Sequence, residues 1–267
     1  MRIWTFKIGA ILICVLVLIA IFAPLIAPHD PNEYNLALKF AGPHSGFWFG
    51  HDADGRDILS RIIYGARISF GIGVLVVGIS LLIGCALGLI AGYSGGWVDQ
   101  FFLFVSDVFL AFPSFLFALA VAAFLEPSIV SVIFILSLKG WVTYARLVRA
   151  QTLTLKHREF ILAGKAIGVS RWRIYFRHLM PNMIGPVLVN ASFGMAGVIM
   201  IESALSFLGV GVPVNTPSWG AMIDQGTQYL LIAPHMSIFP GIFIMLIVLG
   251  FNFLGDGLRD KLAPRGK

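Results

Sequence analysis

Three ionisable residues fall inside long apolar stretches of this sequence. Asp107 and Glu202 are acids in two of these stretches, and Lys139 is a base in a third. Ionisable groups at membrane depth line solute or ion pathways, relay protons, or pair with an opposite charge inside a helix bundle. The residue types leave three roles open: a proton relay, a contact with solute, and a structural pair with a cation such as Lys139.

The chain carries no motif for hydrolysing ATP or a peptide bond. Residues 163–166 read Ala-Gly-Lys-Ala, which lacks both the upstream glycine spacing and the hydroxyl residue of a phosphate-binding loop. The sequence contains neither H-E-x-x-H nor a legible Ser/His/Asp set. We therefore predict no catalytic residue in this chain.

Histidine and cysteine give no metal-site signal either. Four histidines lie between apolar runs, and they show no tight ligand spacing: His29, His44, His51 and His235. Cys14 and Cys85 lie within apolar runs, away from any oxidant. The sequence predicts no metal ligand, no disulfide and no cofactor bound by this chain.

The composition assigns the chain to the membrane. Of its 267 residues, 58% are hydrophobic and 12% are charged, against about 45–50% and 25% in soluble domains. The mean hydropathy of +0.89 excludes a disordered chain. We predict an all-α membrane protein with six transmembrane helices, at about 8–28, 69–92, 101–125, 129–147, 186–209 and 236–254.

Two of these spans are unusual. The first is about 20 residues long, which suits a retained span better than a signal peptide. The fourth, 129–147, is half polar and carries Lys139, so we predict that other helices shield it from lipid.

The basic residues predict the orientation of the bundle. With six spans and both termini in the cytoplasm, 14 of the 19 Lys and Arg residues lie inside and 4 lie outside, and Lys139 is within a span. This follows the positive-inside rule, and it places 149–183 inside and both 29–67 and 210–235 outside. The pI near 9.5 is thus explained by topology, and no nucleic-acid partner is predicted.

Two further patterns concern packing. Small residues recur every fourth position in the second span, at Ser80, Gly84, Gly88 and Gly92, which predicts close approach of another helix. In the outer segment, residues 54–67 show an apolar stripe and a possible pair between Asp57 and Arg61. We interpret this segment as an interfacial helix on the outer leaflet, or as a ramp into the second span.

The cytoplasmic loop 149–183 is too long for a turn. Its sequence predicts a short amphipathic helix near 159–170, flanked by charges such as Glu159. The apolar stripe of this helix comprises Phe160, Ile161, Gly164 and Ile167. Such a helix could lie on lipid or dock on a partner protein. Gly164 and Gly168 weaken the helix by about 1 kcal/mol each, and close approach to a partner would explain them.

The same loop resembles the cytoplasmic EAA loop of ABC importer permeases, whose pattern is Glu-Ala-Ala-x3-Gly-x9-Ile-x-Leu-Pro. Ala163, Gly168 and Pro181 match this pattern. The sequence departs from it at Leu162, Gly164, His178 and Met180.

Three other stretches resemble the dipeptide/oligopeptide/nickel permease subfamily: 50–69, 107–114, and 202–213 with 218–220. The resemblance runs in order over nearly the whole chain. It implies a MetI-like, type I ABC importer permease bundle. Residues 1–66 would form an N-terminal transmembrane helix, outer loop and interfacial helix, and residues 67–256 the permease domain.

The resemblance also implies the partners. They are a second, homologous permease subunit, two ABC ATPase subunits that bind ATP and Mg, an extracytoplasmic solute-binding protein, and membrane lipid. Coupling to the ATPase would involve eight residues of the loop: Glu159, Phe160, Ile161, Ala163, Gly164, Ile167, Gly168 and Pro181. The substrate pathway or bundle interior would include Asp107, Lys139 and Glu202.

The subfamily implies import of di- or oligopeptides, with nickel chelates or another small solute as the alternative. Two other classes compete. A proton-coupled secondary transporter would use the membrane acids, but such proteins usually contain internal repeats, and the six unequal spans show none. A membrane-embedded hydrolase would need the catalytic set that the sequence lacks.

Overall fold

The computed structural model describes residues 2–213 and 215–262. In chain order, the helices are α1 (Arg2–Ile21), α2 (Ala23–Ile26), α3 (Ile58–Ser94), α4 (Gly96–Leu110), α5 (Ser114–Ala122), α6 (Ile129–Leu155), α7 (Glu159–Ala166), α8 (Arg171–Arg173), α9 (Met180–Phe207), α10 (Trp219–Thr227) and α11 (His235–Leu262). A short 3₁₀ helix, Leu36–Leu38, lies in the outer segment. A π-helical stretch, Ile174–Leu179, joins α8 to α9.

Five of the helical segments are long and apolar enough to cross a membrane: α1, α3, α6, the continuous segment from α8 to α9, and α11. The sixth candidate span is α4 followed by α5, which meet at an angle of 78°. The six predicted spans therefore all correspond to helices. The third differs from the prediction, because it is bent rather than continuous.

The bend in the third span has a local cause in the sequence. Pro113 has no N–H to donate, and it disfavours helical backbone at Phe112. The chain accordingly leaves the helix after Leu110 and resumes it at Ser114. In a bilayer such a break must be enclosed by protein or line a polar cavity.

The small residues of α3 face α6, as the sequence predicts. A Cβ added at Gly84 would lie 2.7 Å from the carbonyl oxygen of Trp141, and one at Gly92 would lie 2.9 Å from that of Arg149. A Cβ at Gly88 would collide with the carbonyl oxygen of Ala145. The backbones of α3 and α6 therefore pack directly against each other, which suits a membrane, where lipid supplies no hydrophobic drive for helix association.

The outer end of α3 corrects the prediction of an interfacial helix. α3 begins at Ile58 and continues without a break into the second span. At about 1.5 Å per residue its 37 residues extend beyond the roughly 30 Å hydrocarbon layer. The stripe that was expected to face lipid is buried against the rest of the protein, where Ile62 and Ala66 cluster with Trp219. The segment is thus the ramp into the second span.

The charges of the outer segment also pair differently from the prediction. Asp57 caps the N-terminus of α3, because its carboxylate accepts a hydrogen bond from the backbone N–H of Ser60 at 3.0 Å. Arg61 lies 3.5 Å from Asp52 instead of pairing with Asp57. Asp52 also accepts from Nε of Arg56 at 2.8 Å. These buried charges tie the outer segment to the top of α3.

Aromatic rings hold the rest of the outer segment. Phe47 stacks on His29 and makes a tilted contact with His51, with ring centroids 4.3 and 4.2 Å away, and His44 lies 5.3 Å from His51. Burial lowers the pKa of His51, and the neighbouring His44 lowers it further. His51 therefore favours its neutral form in this stack.

Candidate functional site

A cavity of about 190 Å³ lies at the centre of the bundle, between α3, the bend from α4 to α5, α6 and α9. Most of its wall is apolar. Its polar lining residues come from four helices: Ser80, Ser114, Lys139, Thr143, Tyr144 and Asn190. An ionisable residue at the wall of a cavity between membrane helices is typical of a solute pathway.

Lys139 joins this cavity to the bend in the third span. Its ammonium donates a hydrogen bond to the carbonyl oxygen of Phe112, which the break leaves without a helical partner. The ammonium also lies 5.8 Å from the ring centroid of Phe117. Lys139 is half-buried in this chain, so the predicted shielding of the fourth span from lipid stays a prediction. Of the three roles left open by the sequence, the ion pair between Lys139 and a membrane acid is not formed in this chain.

Asp107 is not buried in this chain. Its side chain is 65% exposed, and it accepts a hydrogen bond from Arg146 of α6 at 2.6 Å. The guanidinium of Arg149 makes a second pair with Asp99 at 2.7 Å, nearer the start of α4. Neither arginine was predicted as a partner from the sequence. The sequence nevertheless contained an indication. Asp99 and Asp107 are eight residues apart and share one face of α4, so a neighbouring helix could pair with both.

The open side of α6 is polar from Lys139 to Arg146. Lys139, Thr143 and Arg146 follow one another at helical spacing, and each is half-buried or exposed. Asp107 faces the last of them. Lipid is an unsuitable neighbour for such a surface. In the membrane it must be covered by protein or by water.

Glu202 is the fully buried acid. Its carboxylate accepts hydrogen bonds from the hydroxyls of Ser206, at 2.9 Å, and Ser69, at 3.2 Å. Ser69 belongs to α3 and Glu202 to α9, so the bonds join two spans. Within the described residues, no Lys, Arg or His forms a salt bridge with Glu202.

Replacing Glu202 tests whether it is structural. In Glu202→Gln the amide oxygen still accepts from the serines, so we expect a change below about 1 kcal/mol in the free energy of unfolding and normal uptake. In Glu202→Leu both hydroxyls lose their acceptor, and we expect a loss of about 1–3 kcal/mol. Thermal unfolding of the purified permease pair measures both. Lost uptake with unchanged stability in Glu202→Gln would contradict a structural role.

The predicted amphipathic helix of the cytoplasmic loop is α7, which begins at Glu159 and ends at Ala166. Its apolar stripe is divided between two sides. Ile161 is 1% exposed and clusters with Leu179 and Met183 of this chain. The expectation that Ile161 faces a partner is therefore wrong, because it anchors α7 to the bundle.

The remaining apolar residues of α7 are open. Phe160 is 45% exposed and Ile167 is 81% exposed. Ala163 is also exposed, and a Cβ added at Gly164 would meet only a methyl group of Val169, 3.9 Å away. α7 thus presents an uncovered surface, defined by these four residues at 160, 163, 164 and 167, which we call the α7 surface.

Gly168 ends α7 with a turn, one of the two uses that a glycine at this position permits. Its φ is +76°, a conformation that glycine adopts without strain. The N–H of Gly168 donates to Lys165 and that of Val169 donates to Gly164, at 3.1 and 3.0 Å, which is the Schellman pattern. Pro181 is the second residue of α9 and follows the π-helical stretch directly.

The comparisons with known proteins agree with this architecture. Residues 84–267 match the family model described as the inner membrane component of binding-protein-dependent transport systems. Residues 4–43 match the model of the N-terminal transmembrane domain of oligopeptide transport permease C.

Several curated relatives cover nearly the whole chain. The dipeptide transport system permease protein of Alkalihalophilus pseudofirmus is 44% identical over 97% of this chain and 86% of its own length. The oligopeptide transport system permease protein of Bacillus subtilis is 39% identical over 97% and 85%. The glutathione transport system permease protein of Pectobacterium atrosepticum is 40% identical over 97% and 86%. The chain is therefore a transport permease rather than an enzyme, and it belongs to the family of inner membrane components of binding-protein-dependent transport systems.

Proposed function

We propose that this chain is one of the two permease subunits of an ATP-driven importer, and that it lines the path by which di- or oligopeptides cross the membrane. The carrying observation is the cavity between α3, α5, α6 and α9, whose polar lining residues continue as the open polar side of α6. Peptides are favoured as solute because two of the similar permeases are named for dipeptides and oligopeptides. A third is named for glutathione, itself a small peptide.

The open side of α6 also supports a second permease subunit. The pair between Asp107 and Arg146 is exposed in the isolated chain, and a charged pair at this depth needs cover other than lipid. A homologous subunit facing α6 across a water-filled path supplies that cover. In this proposal Asp107 and Lys139 line the path, whereas Glu202 belongs to the bundle interior.

The energy comes from two ATPase subunits that bind ATP and Mg, because this chain has no phosphate-binding loop. We assign their docking to α7 and the turn at Gly168. The α7 surface supplies apolar contact with the ATPase, and Ile161 anchors α7 to the bundle. The coupling segment begins at Glu159 and ends at Pro181. ATP-driven closure of the ATPases would pull α7 and shift a bistable bundle between inward and outward states.

A solute-binding protein delivers peptide on the outer side in this proposal. Residues 1–66 supply the first span and the outer segment, and residues 67–256 form the permease domain, with α3 running across the boundary.

Reconstitution tests the whole proposal. The two permeases and two ATPases are placed in liposomes, and uptake of a labelled tripeptide is measured with and without binding protein and ATP. We expect uptake only with both. Uptake by the permeases alone, driven by a proton gradient, would instead show a secondary transporter. Uptake of a nickel chelate but of no peptide would reassign the solute.

The orientation gives a separate prediction. We expect both termini and the loop 149–183 to face the cytoplasm. Ser170 is exposed in that loop. A cysteine introduced by Ser170→Cys, in a chain with Cys14→Ser and Cys85→Ala, should react with an impermeant maleimide only after the cells are opened. A matching cysteine in the outer segment, Ser45→Cys, should react in intact cells. Labelling of position 170 from outside would contradict the topology.

A further inference from the structure

The central cavity carries an unbalanced positive charge. Among the described residues that line it, Lys139 is charged and none is acidic. The two membrane acids are already engaged, since Asp107 accepts from Arg146 and Glu202 accepts from two serines. The carbonyl oxygen of Phe112 accepts one hydrogen bond from Lys139 but carries no full charge.

The ammonium also has unused hydrogen-bonding capacity. A lysine ammonium carries three N–H donors, and one of them is accounted for by Phe112. Thr143 and Asn190 line the same cavity and are polar groups that a ligand can also contact. A cation with unused donors beside neutral polar groups suits an anionic oxygen ligand.

The cavity can stay hydrated between transport events. Its volume of about 190 Å³ holds roughly six waters at about 30 Å³ each. Waters can therefore solvate the ammonium when no solute is present. A solute carboxylate that enters can replace them with a charge-assisted hydrogen bond.

We propose that Lys139 binds a carboxylate of the solute as it passes through the cavity, and that this contact favours anionic over cationic peptides. The inference rests on the proposed import of peptides and deepens it. The competing role for Lys139 is purely structural, as a cap on the carbonyl of the bend between α4 and α5. The two roles differ in what they predict for peptides of different charge.

The test compares two tripeptides in the reconstituted transporter, Ala-Glu-Ala and Ala-Lys-Ala, at saturating binding protein. The measured quantity is the maximal uptake rate of Ala-Glu-Ala divided by that of Ala-Lys-Ala. The same binding protein serves every permease variant, so its own preference cancels when the ratio of a variant is divided by that of the wild type. We expect Lys139→Gln to lower this ratio about tenfold, the order expected for unit charges within several ångströms of each other. Lys139→Arg should retain it.

A second pair of variants leaves Lys139 in place. Thr143 lies one turn from Lys139 on the open side of α6, so Thr143→Glu would supply the ammonium with a fixed carboxylate. We expect it to lower the ratio as Lys139→Gln does. The isosteric control Thr143→Gln should leave the ratio unchanged. Lys7→Met removes a lysine from α1, away from the cavity, and should also leave it unchanged.

Each outcome decides the inference. A lowered ratio in both Lys139→Gln and Thr143→Glu supports it. Equal loss of both peptides would show that Lys139 only caps the bend, and an unchanged ratio would show that the cavity does not sense charge; either result overturns the inference. If Lys139→Gln does not assemble, the Thr143 pair decides alone. Failure of the wild type to import any peptide would instead refute the proposed function.

Discussion

Phe160→Asp is expected to abolish ATP-driven uptake while the permease stays folded in the membrane. The side chain of Phe160 is 45% exposed on the α7 surface, so a charge there costs the isolated permease little. When α7 docks on an ATPase subunit, burial of the Phe160 side chain would contribute about 1.5–3 kcal/mol to the free energy of binding. An aspartate at this position would remove that contribution and add the cost of desolvating its charge. Co-purification of ATPase subunits with tagged permease, together with peptide uptake, measures the effect.

Neighbouring positions supply the controls. Phe160→Leu keeps an apolar contact and should retain most uptake. Ile161→Asp places a charge in the buried cluster of α7, so it should destabilise the permease itself and lower its amount in the membrane.

Gly168→Asp should uncouple ATP hydrolysis from uptake as Phe160→Asp does, since it puts a charged side chain beside the same surface. Normal ATPase retention and uptake in both Phe160→Asp and Gly168→Asp would show that α7 lies on lipid.

Gly88→Val is expected to destabilise the bundle by about 3 kcal/mol through overpacking. A Cβ at Gly88 has no space, because the carbonyl oxygen of Ala145 occupies the position it would need. α3 and α6 would have to separate along an interface that also includes Gly84 and Gly92. The thermal unfolding midpoint of the purified permease pair, and its yield in the membrane, measure the loss.

The matched control lies on the same helix. At Gly78 nothing approaches within 4 Å of an added Cβ, so Gly78→Val should leave the midpoint of this chain nearly unchanged. Equal unfolding midpoints for the two variants would contradict the tight packing of α3 on α6. A large loss in Gly78→Val alone would place the second permease subunit at that position.

Sequence reasoning was most successful where one physical rule acts over many residues. Each of the six apolar segments corresponds to a helix, because a chain in lipid must satisfy its backbone hydrogen bonds within each segment. The small-residue repeat from Ser80 to Gly92 identified the packed face of α3 for a similar reason, since only small residues let two backbones approach. The start of α7 followed from the helical spacing of apolar residues in the loop 149–183, although α7 ends at Ala166, before the predicted end near 170.

The sequence failed where the partner of a side chain lies far along the chain. A pair between Lys139 and an acid was one of the roles that the sequence left open, and Lys139 instead meets the carbonyl of Phe112 at a bend that depends on where Pro113 falls relative to α6. Asp107 was expected to be buried, and its exposure follows from the place of α4 at the edge of this chain.

The amino-acid pattern by itself determined that this protein is a helical membrane protein with a short amphipathic helix between two spans, because hydropathy, charge bias and small-residue spacing act locally or add up along the chain. Only the tertiary structure decided which side of each helix is covered. It turned Ile161 inward and left Phe160 open, and it enclosed Glu202 among hydroxyls while Lys139 faces a cavity. Periodicity defines the faces of a helix, but their neighbours depend on how distant helices pack around one another.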